Sequence, residues 1–199
     1  MPLIYHAIPT SEVVEAQRIL YPDSNKHLTL DDSAFSVMDD YLEKRPLVID
    51  GSLPVIDAKN FMKSAHVSLY MVLNDAGKLT GIITLKDILG KKSAAKAHEM
   101  GINLSDIQIQ DIAQPVSRLV HIHLNQLKGA KVGDLIKTFS KTGMEHILVI
   151  QDDELPGKTA VRGVISATRT ARMLNVSFDL NERARSFSDI VHAVHGHFE

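Results

Sequence analysis

The sequence predicts a mixed α/β (α+β) chain made of two similar units in tandem, with extra helices at both ends. Three observations carry this. Leu79-Thr80-Gly81-Ile82-Ile83-Thr84-Leu85-Lys86-Asp87-Ile88-Leu89-Gly90 reads as a short buried strand that breaks directly into a helix. Ile82 and Ile83 suit a core strand, Thr84 is a good helix N-cap, and Asp87 falls in the first turn. The same phrase returns as Val161-Arg162-Gly163-Val164-Ile165-Ser166-Ala167-Thr168-Arg169. Finally, Asp57 matches Asp134 and Leu73 matches Ile150, each 77 residues on, whereas Gly81 matches Gly163 82 residues on. An offset that stays constant through helix and strand and changes only inside a turn marks a true repeat, here with a second hairpin loop five residues longer.

The elements follow in order. An N-terminal arm, 1–32, carries a short helix at Ser11–Leu20, with Val13, Val14, Ile19 and Leu20 apolar, and a turn at 21–25. The first copy, 33–100, opens with a helix at about Ser33–Lys44 that stops before Pro46. Leu47–Ile49 is a strand, followed by an amphipathic helix at Val55–Lys63 with Val55, Ala58, Phe61 and Met62 on one side. Val67–Leu73 and Leu79–Ile83 are strands joined by the hairpin turn Asn74–Gly77. A helix starts at Thr84, breaks near Gly90 and resumes through Ala94–Met100. The second copy, 101–176, repeats this. It has a helix at Ser105–Ala113, a strand at Leu119–Leu124, a helix at Val132–Ser140, strands at Ile147–Ile150 and Val161–Ile165, and a closing helix at Ser166–Leu174. A C-terminal helix over Leu180–His195, within 177–199, carries Phe187, Ile190, Val191 and Val194 on one stripe.

Composition narrows the function classes. Hydrophobic residues make up 44% and charged residues 23%, enough for a packed core. A formal net charge of -2 gives no argument for nucleic acid or an anionic membrane. The absence of cysteine excludes a disulfide framework, a thiolate nucleophile and a cysteine-based zinc site. No apolar run reaches membrane-spanning length, and no basic region followed by an apolar run opens the sequence, so the expected location is cytoplasmic.

With these motifs in two ordered copies, the chain resembles a tandem pair of cystathionine-β-synthase (CBS) domains, the regulatory Bateman module, over roughly residues 35–175. In the first copy the resemblance rests on Leu47-Val48-Ile49, Val55-Ile56-Asp57-Ala58, Val72–Gly77 and Gly81-Ile82-Ile83-Thr84-Leu85-Lys86-Asp87. In the second it rests on Val132-Gly133-Asp134, Gly143–Ile150 and Gly163-Val164-Ile165-Ser166. It implies two βαββα units related by pseudo-twofold symmetry. Their sheets would pack face to face around two clefts that bind an adenosine nucleotide (AMP, ADP or ATP) or S-adenosylmethionine. It also implies energy sensing, a homodimer and a regulated partner protein, here unidentified. For the dimer contact, the apolar candidates are Ile88, Leu89, Met173 and Leu174.

The resemblance also assigns site residues. Asp87 stands where the family's carboxylate accepts both ribose hydroxyls, a role suited to an acceptor-only group. Thr84 matches the phosphate-meeting position at the helix start. Ile49, Asp50, Gly51 and Ser52 match the adenine-sandwiching strand and its exit, and His66-Val67-Ser68 match ligand-lining backbone with a basic side chain. The competing reading of Thr84 and Asp87 is a structural capping box. In the second copy Ser166 keeps the hydroxyl, but Arg169 replaces the aspartate. A guanidinium has no acceptor, so that site is dead, repurposed for phosphate or remade for another ligand; a solvated helix charge is the bland alternative. His146 matches a frequently basic position.

Ten histidines remain to be placed. His121 and His123 share one strand face, and His192, His195 and His197 cluster near the C-terminus, where a metal site competes with a solvated terminus and no metal is expected. No catalytic triad, P-loop lysine or carboxylate pair is visible, so the expectation is a stand-alone binding module without catalysis. The alternative is a dimerisation or adaptor scaffold with empty clefts.

Overall fold

The computed structural model describes residues 8–10, 28–154 and 156–174. The helices expected at Ser11–Leu20 and Leu180–His195, and the histidines His192, His195 and His197, lie outside the described residues. In chain order the described elements are β1 (Asp39–Asp40), β2 (Val48–Asp50), α1 (Val55–Ser64), β3 (Leu69–Leu73), β4 (Leu79–Thr84), α2 (Leu85–Leu89), α3 (Lys91–Met100), α4 (Ile109–Ile112) and β5 (Gln114–Pro115). Then follow β6 (Val120–His123), α5 (Leu124–Gly129), α6 (Val132–Thr142), β7 (His146–Asp152), β8 (Thr159–Ser166) and α7 (Ala167–Met173).

Two four-stranded sheets result, ordered β2-β3-β4-β5 and β6-β7-β8-β1. In each, the first two strands are parallel and the others antiparallel. The repeat holds at the level of single hydrogen-bonded pairs. Val72 faces Gly81 and Val149 faces Gly163, and both ladders shift register at the next residue. Leu73 then pairs with Leu79 and Ile150 with Val161, so Thr80 and Arg162 are the extra residues of equivalent bulges.

Each sheet is covered on both faces, which is why Val72, Ile83, Val149 and Ile165 have equally buried apolar neighbours in sequence. Val72 and Ile83 point to helices of their own copy, as do Val149 and Ile165. Met71, Ile82, Leu148 and Val164 point the other way and pack the two sheets together. These four form two pairs at the repeat offsets, Met71 with Leu148 and Ile82 with Val164, as pseudo-twofold symmetry requires.

The lead-in segments cross over. The helix expected at Ser33–Lys44 is instead a 3₁₀ turn, Ala34–Val37, capped by Ser33 Oγ, which accepts from the Phe35 amide at 3.3 Å. The chain then extends as β1 and pairs with β8, Asp39 opposite Val164 and Asp40 opposite Gly163. Sheet pairing in the other copy overrides the local helical pattern. The helix expected at Ser105–Ala113 is likewise split into a 3₁₀ turn, Leu104–Asp106, and α4, and β5 pairs with β4. Each copy thus lends an edge strand to the other's sheet. Ala34, Val37 and Met38 join the second copy's core, whereas Ile107, Ile109 and Ile112 join the first. Gly81 and Gly163 are required by these crossings, since a Cβ would overlap the Gln114 and Asp39 carbonyl oxygens respectively.

The short helix α5 has no counterpart in the sequence expectation; the other helices and strands fall within a few residues of their expected bounds. Phe61 is an exception to the expected apolar face of α1, being exposed while Val55, Ala58 and Met62 are buried. Of the four apolar residues expected at a dimer contact, Ile88 and Leu174 are buried in their own cores and Met173 packs against one; Leu89 remains exposed.

Candidate functional site

A cavity of about 490 Å³ opens between the two copies. Its position follows from strand direction. Because β2 and β3 are parallel, their N-terminal ends lie side by side, with the Met71 amide donating to the Leu47 carbonyl at 2.8 Å. Arg45-Pro46-Leu47 and His66-Val67-Ser68 lead into those ends and line one wall. The opposite wall is the end of β8 and the first turns of α7, with Ser166, Thr168, Arg169 and Arg172. Asp39 and Tyr41 enter on the crossing segment, and His146 starts β7.

Six sequence-expected residues therefore meet here: His66, Val67, Ser68, His146, Ser166 and Arg169. Ile49, Asp50, Gly51 and Ser52 do not line this cavity, because parallel pairing puts the end of β2 at the far edge of the sheet. There the Gly51 amide donates to the Leu73 carbonyl and the Gly51 carbonyl accepts from the Gln110 amide, both at 2.9 Å. Asp50 Oδ1 accepts from the Ser52 amide and hydroxyl, both at 2.8 Å. The first of these bonds is the main reason the Asp50 carboxyl titrates below its ordinary range. The start of β2 lines the cavity and its end does not.

Thr84 and Asp87 also lie outside this lining and form a complete capping box. Thr84 Oγ1 accepts from the Asp87 amide at 3.1 Å, and Asp87 Oδ2 accepts from the Thr84 amide at 3.1 Å and hydroxyl at 2.6 Å. Lys92 Nζ holds the other carboxylate oxygen at 3.2 Å. Beside them, the ammonium of Lys86 pairs with Glu145 of the second copy. At the equivalent helix start, Ser166 Oγ accepts from the Arg169 amide at 3.4 Å, but Arg169 has no acceptor with which to reciprocate. Its guanidinium instead donates to Asp39 Oδ1 across the crossing strand.

His66 has φ of +52°, the left-handed region that favours glycine. Its amide donates to the Lys63 carbonyl at 3.3 Å and the Val67 amide to the Met62 carbonyl at 3.0 Å, the paired bonds of a Schellman cap on α1. The residue 77 positions on is Gly143, at φ of +66°. An imidazole thus stands at the cavity wall where the other copy uses the unstrained residue. His146 is similarly out of pattern, since its counterpart in the first copy is Leu69. Burial pushes the His146 imidazole below its ordinary value; the Glu145 and Asp87 charges oppose this and the Lys86 charge reinforces it. A neutral imidazole there offers one donor and one acceptor. Burial, then the Asp39 charge, push the Tyr41 hydroxyl well above its ordinary value, so it stays protonated.

The charge balance is the clearest chemical feature. Lys44, Arg45 and Arg172 line the cavity and form no ion pair among the described residues, while Arg169 is paired only with Asp39. Asp39 is the single carboxylate of the lining among the described residues. Sequence reasoning missed Lys44, Arg45, Arg172, Asp39 and Tyr41. Arg172 follows Arg169 by three residues on one helix face and was readable from spacing; the others meet the cleft through the strand crossing, which no local pattern encodes. Elsewhere, His123 Nδ1 accepts from the Asn125 amide and its Nε2 lies 3.4 Å from Asp152 Oδ1, a structural use. No helix among the described residues is long and apolar enough to cross a membrane.

Comparison with known proteins follows the same lines. Residues 37–93 match the family model for the CBS domain. No curated protein matches the chain. Among solved structures it is similar to an uncharacterized conserved protein from Pyrococcus horikoshii, at 20% identity and a TM-score of 0.50 over 73% of this chain and 93% of that one. A conserved CBS domain protein of Thermoplasma acidophilum is similar at 17% identity and a TM-score of 0.48, over 79% and 77% of the two chains. So is a CBS domain pair solved in complex with 5′-methylthioadenosine and S-adenosyl-L-methionine, at 18% identity and a TM-score of 0.48 over 73% and 97%. The matched segment spans β1 to the start of α3, and the second copy repeats its strand registers, so the chain carries one segment that matches the CBS-domain model and a second built on the same plan.

Proposed function

We propose that this protein is a regulatory module that binds an adenosine nucleotide in the Arg169 cleft, without turning it over, and passes the bound state to a partner protein. The observation that carries the reading is the set of cations without an ion-pair partner among the described residues, Lys44, Arg45 and Arg172, beside Arg169 around one cavity. Guanidinium groups meet phosphate oxygens with paired donors, and partial enclosure strengthens each such bond. The volume lies within the range of small-molecule sites. Leu47, Val67, Leu69 and Met71 supply an apolar wall for a base.

This charge balance selects among adenosine ligands. AMP, ADP and ATP complement the cationic rim. S-adenosylmethionine, whose sulfonium and ammonium outweigh its carboxylate, does not. Calorimetric titration with ATP, ADP, AMP and S-adenosylmethionine tests the reading. The expected result is binding of the phosphate-bearing ligands, tightest for the most charged, with the nucleotide recovered intact. Preference for S-adenosylmethionine, or no binding of any nucleotide, would overturn it.

A further inference from the structure

The two copies place their carboxylate at different positions. Asp39 pairs with Val164 on β8 and Gln114 pairs with Ile82 on β4; because Ile82 and Val164 match in the repeat, these crossing-strand residues are structural counterparts. In the first copy the helix position holds Asp87 and the crossing strand holds neutral Gln114, which donates to Met144 and to the Arg118 carbonyl. In the second copy the helix position holds Arg169 and the crossing strand holds Asp39.

We propose that Asp39 supplies, from the crossing strand, the acceptor that α7 lacks, and receives the vicinal ribose hydroxyls of a nucleotide whose phosphates are held by Arg169 and Arg172. This rests on the nucleotide reading of the cleft and deepens it. Among the described residues Asp39 is the only carboxylate in the lining, and so their only charged acceptor for a ligand's hydroxyls. Its backbone is fixed by strand pairing. One oxygen accepts from Arg169, and Oδ2 has no hydrogen-bond partner among the described residues. A nucleoside 5′-phosphate carries an anion and a vicinal diol on one sugar, so an adjacent guanidinium and carboxylate match it group for group. On binding, phosphate takes up guanidinium donors now spent on Asp39, and the carboxylate turns to the diol.

The test is the ratio of affinities for ATP and 2′,3′-dideoxy-ATP, measured on the full chain by calorimetry, with melting curves for each variant. The parent protein should prefer ATP by about tenfold to a hundredfold, the scale of hydrogen bonds to a charged acceptor. Asp39→Asn, which preserves shape, and Asp39→Ala should bring the ratio to within about threefold whatever their absolute affinities. A variant that keeps the parent's ratio would overturn the role of Asp39, as would a parent that binds both nucleotides equally; in either case the cleft reading survives. A parent that binds neither would overturn the cleft reading and this inference with it.

Discussion

Arg162 and Asp40, 122 residues apart in the chain, form a two-point ion pair: Nε donates to Oδ1 at 2.7 Å and Nη2 to Oδ2 at 2.6 Å. The third arm of the guanidinium donates to Gln151 at 3.0 Å. Arg162 is the extra residue of the β8 bulge, and Asp40 ends the crossing strand, so the pair fastens the first copy's lead-in to the second copy's sheet. The Arg162 hydrogen bonds hold the Asp40 carboxyl below its ordinary value and raise the guanidinium's own.

Arg162→Ala strands the buried Asp40 carboxylate. The expected cost is the lower end of about 3–5 kcal/mol, because Arg162 retains some solvent contact. Denaturant unfolding reads it. The Asp40 contribution is fully present above the ordinary carboxyl value of 3.8 and is lost as pH falls through the lowered folded value. An Arg162→Ala protein as stable as the parent would contradict the fastening role.

His146 gives stability a proton linkage of the same sign at higher pH. Its folded-state value is lowered from 6.5, so the unfolded chain binds more protons just below that pH. Stability should decline as pH falls from 6.5 toward the folded value, and His146→Leu, copying Leu69, should flatten that part of the profile. An identical slope in parent and variant between pH 6.5 and the acid limb would remove His146 from the account.

His66→Gly should separate stability from binding. Relief of the left-handed φ, less glycine's own entropy cost, should stabilise the fold by about 0.5–1.5 kcal/mol. Loss of the imidazole from the cavity wall should weaken nucleotide binding. A variant that is neither more stable nor weaker in binding would show that the strained histidine has no function.

Asp87→Ala should cost about 0.5–1 kcal/mol of stability through the lost cap, and leave nucleotide affinity at the Arg169 cleft unchanged. A large loss of affinity would place the ligand in the other cleft.

The repeat was legible because the offset is fixed by residues whose neighbours in sequence are also their structural constraints: Gly81 and Gly163 at close strand approaches, Thr84 and Ser166 at helix starts. The helix misread at Ser33–Lys44 shows the limit. Its local pattern is helical, but Asp39 and Asp40 gain more by pairing with Val164 and Gly163, partners over 120 residues away. Ile49 to Ser52 enter the expected site only through the family resemblance, and no local pattern in this sequence reports which end of a parallel strand faces the cleft. Arg169 was legible as a departure. That Asp39 stands against it was not, since the contact depends on the crossing.

The most direct test of the cleft is the paired substitution Arg169→Gln with Arg172→Gln, titrated with ATP by calorimetry at two salt concentrations. The account predicts one ATP bound per parent chain, a loss of affinity of at least about tenfold in the variant, and a weaker salt dependence. Binding unchanged in affinity and salt dependence would contradict it.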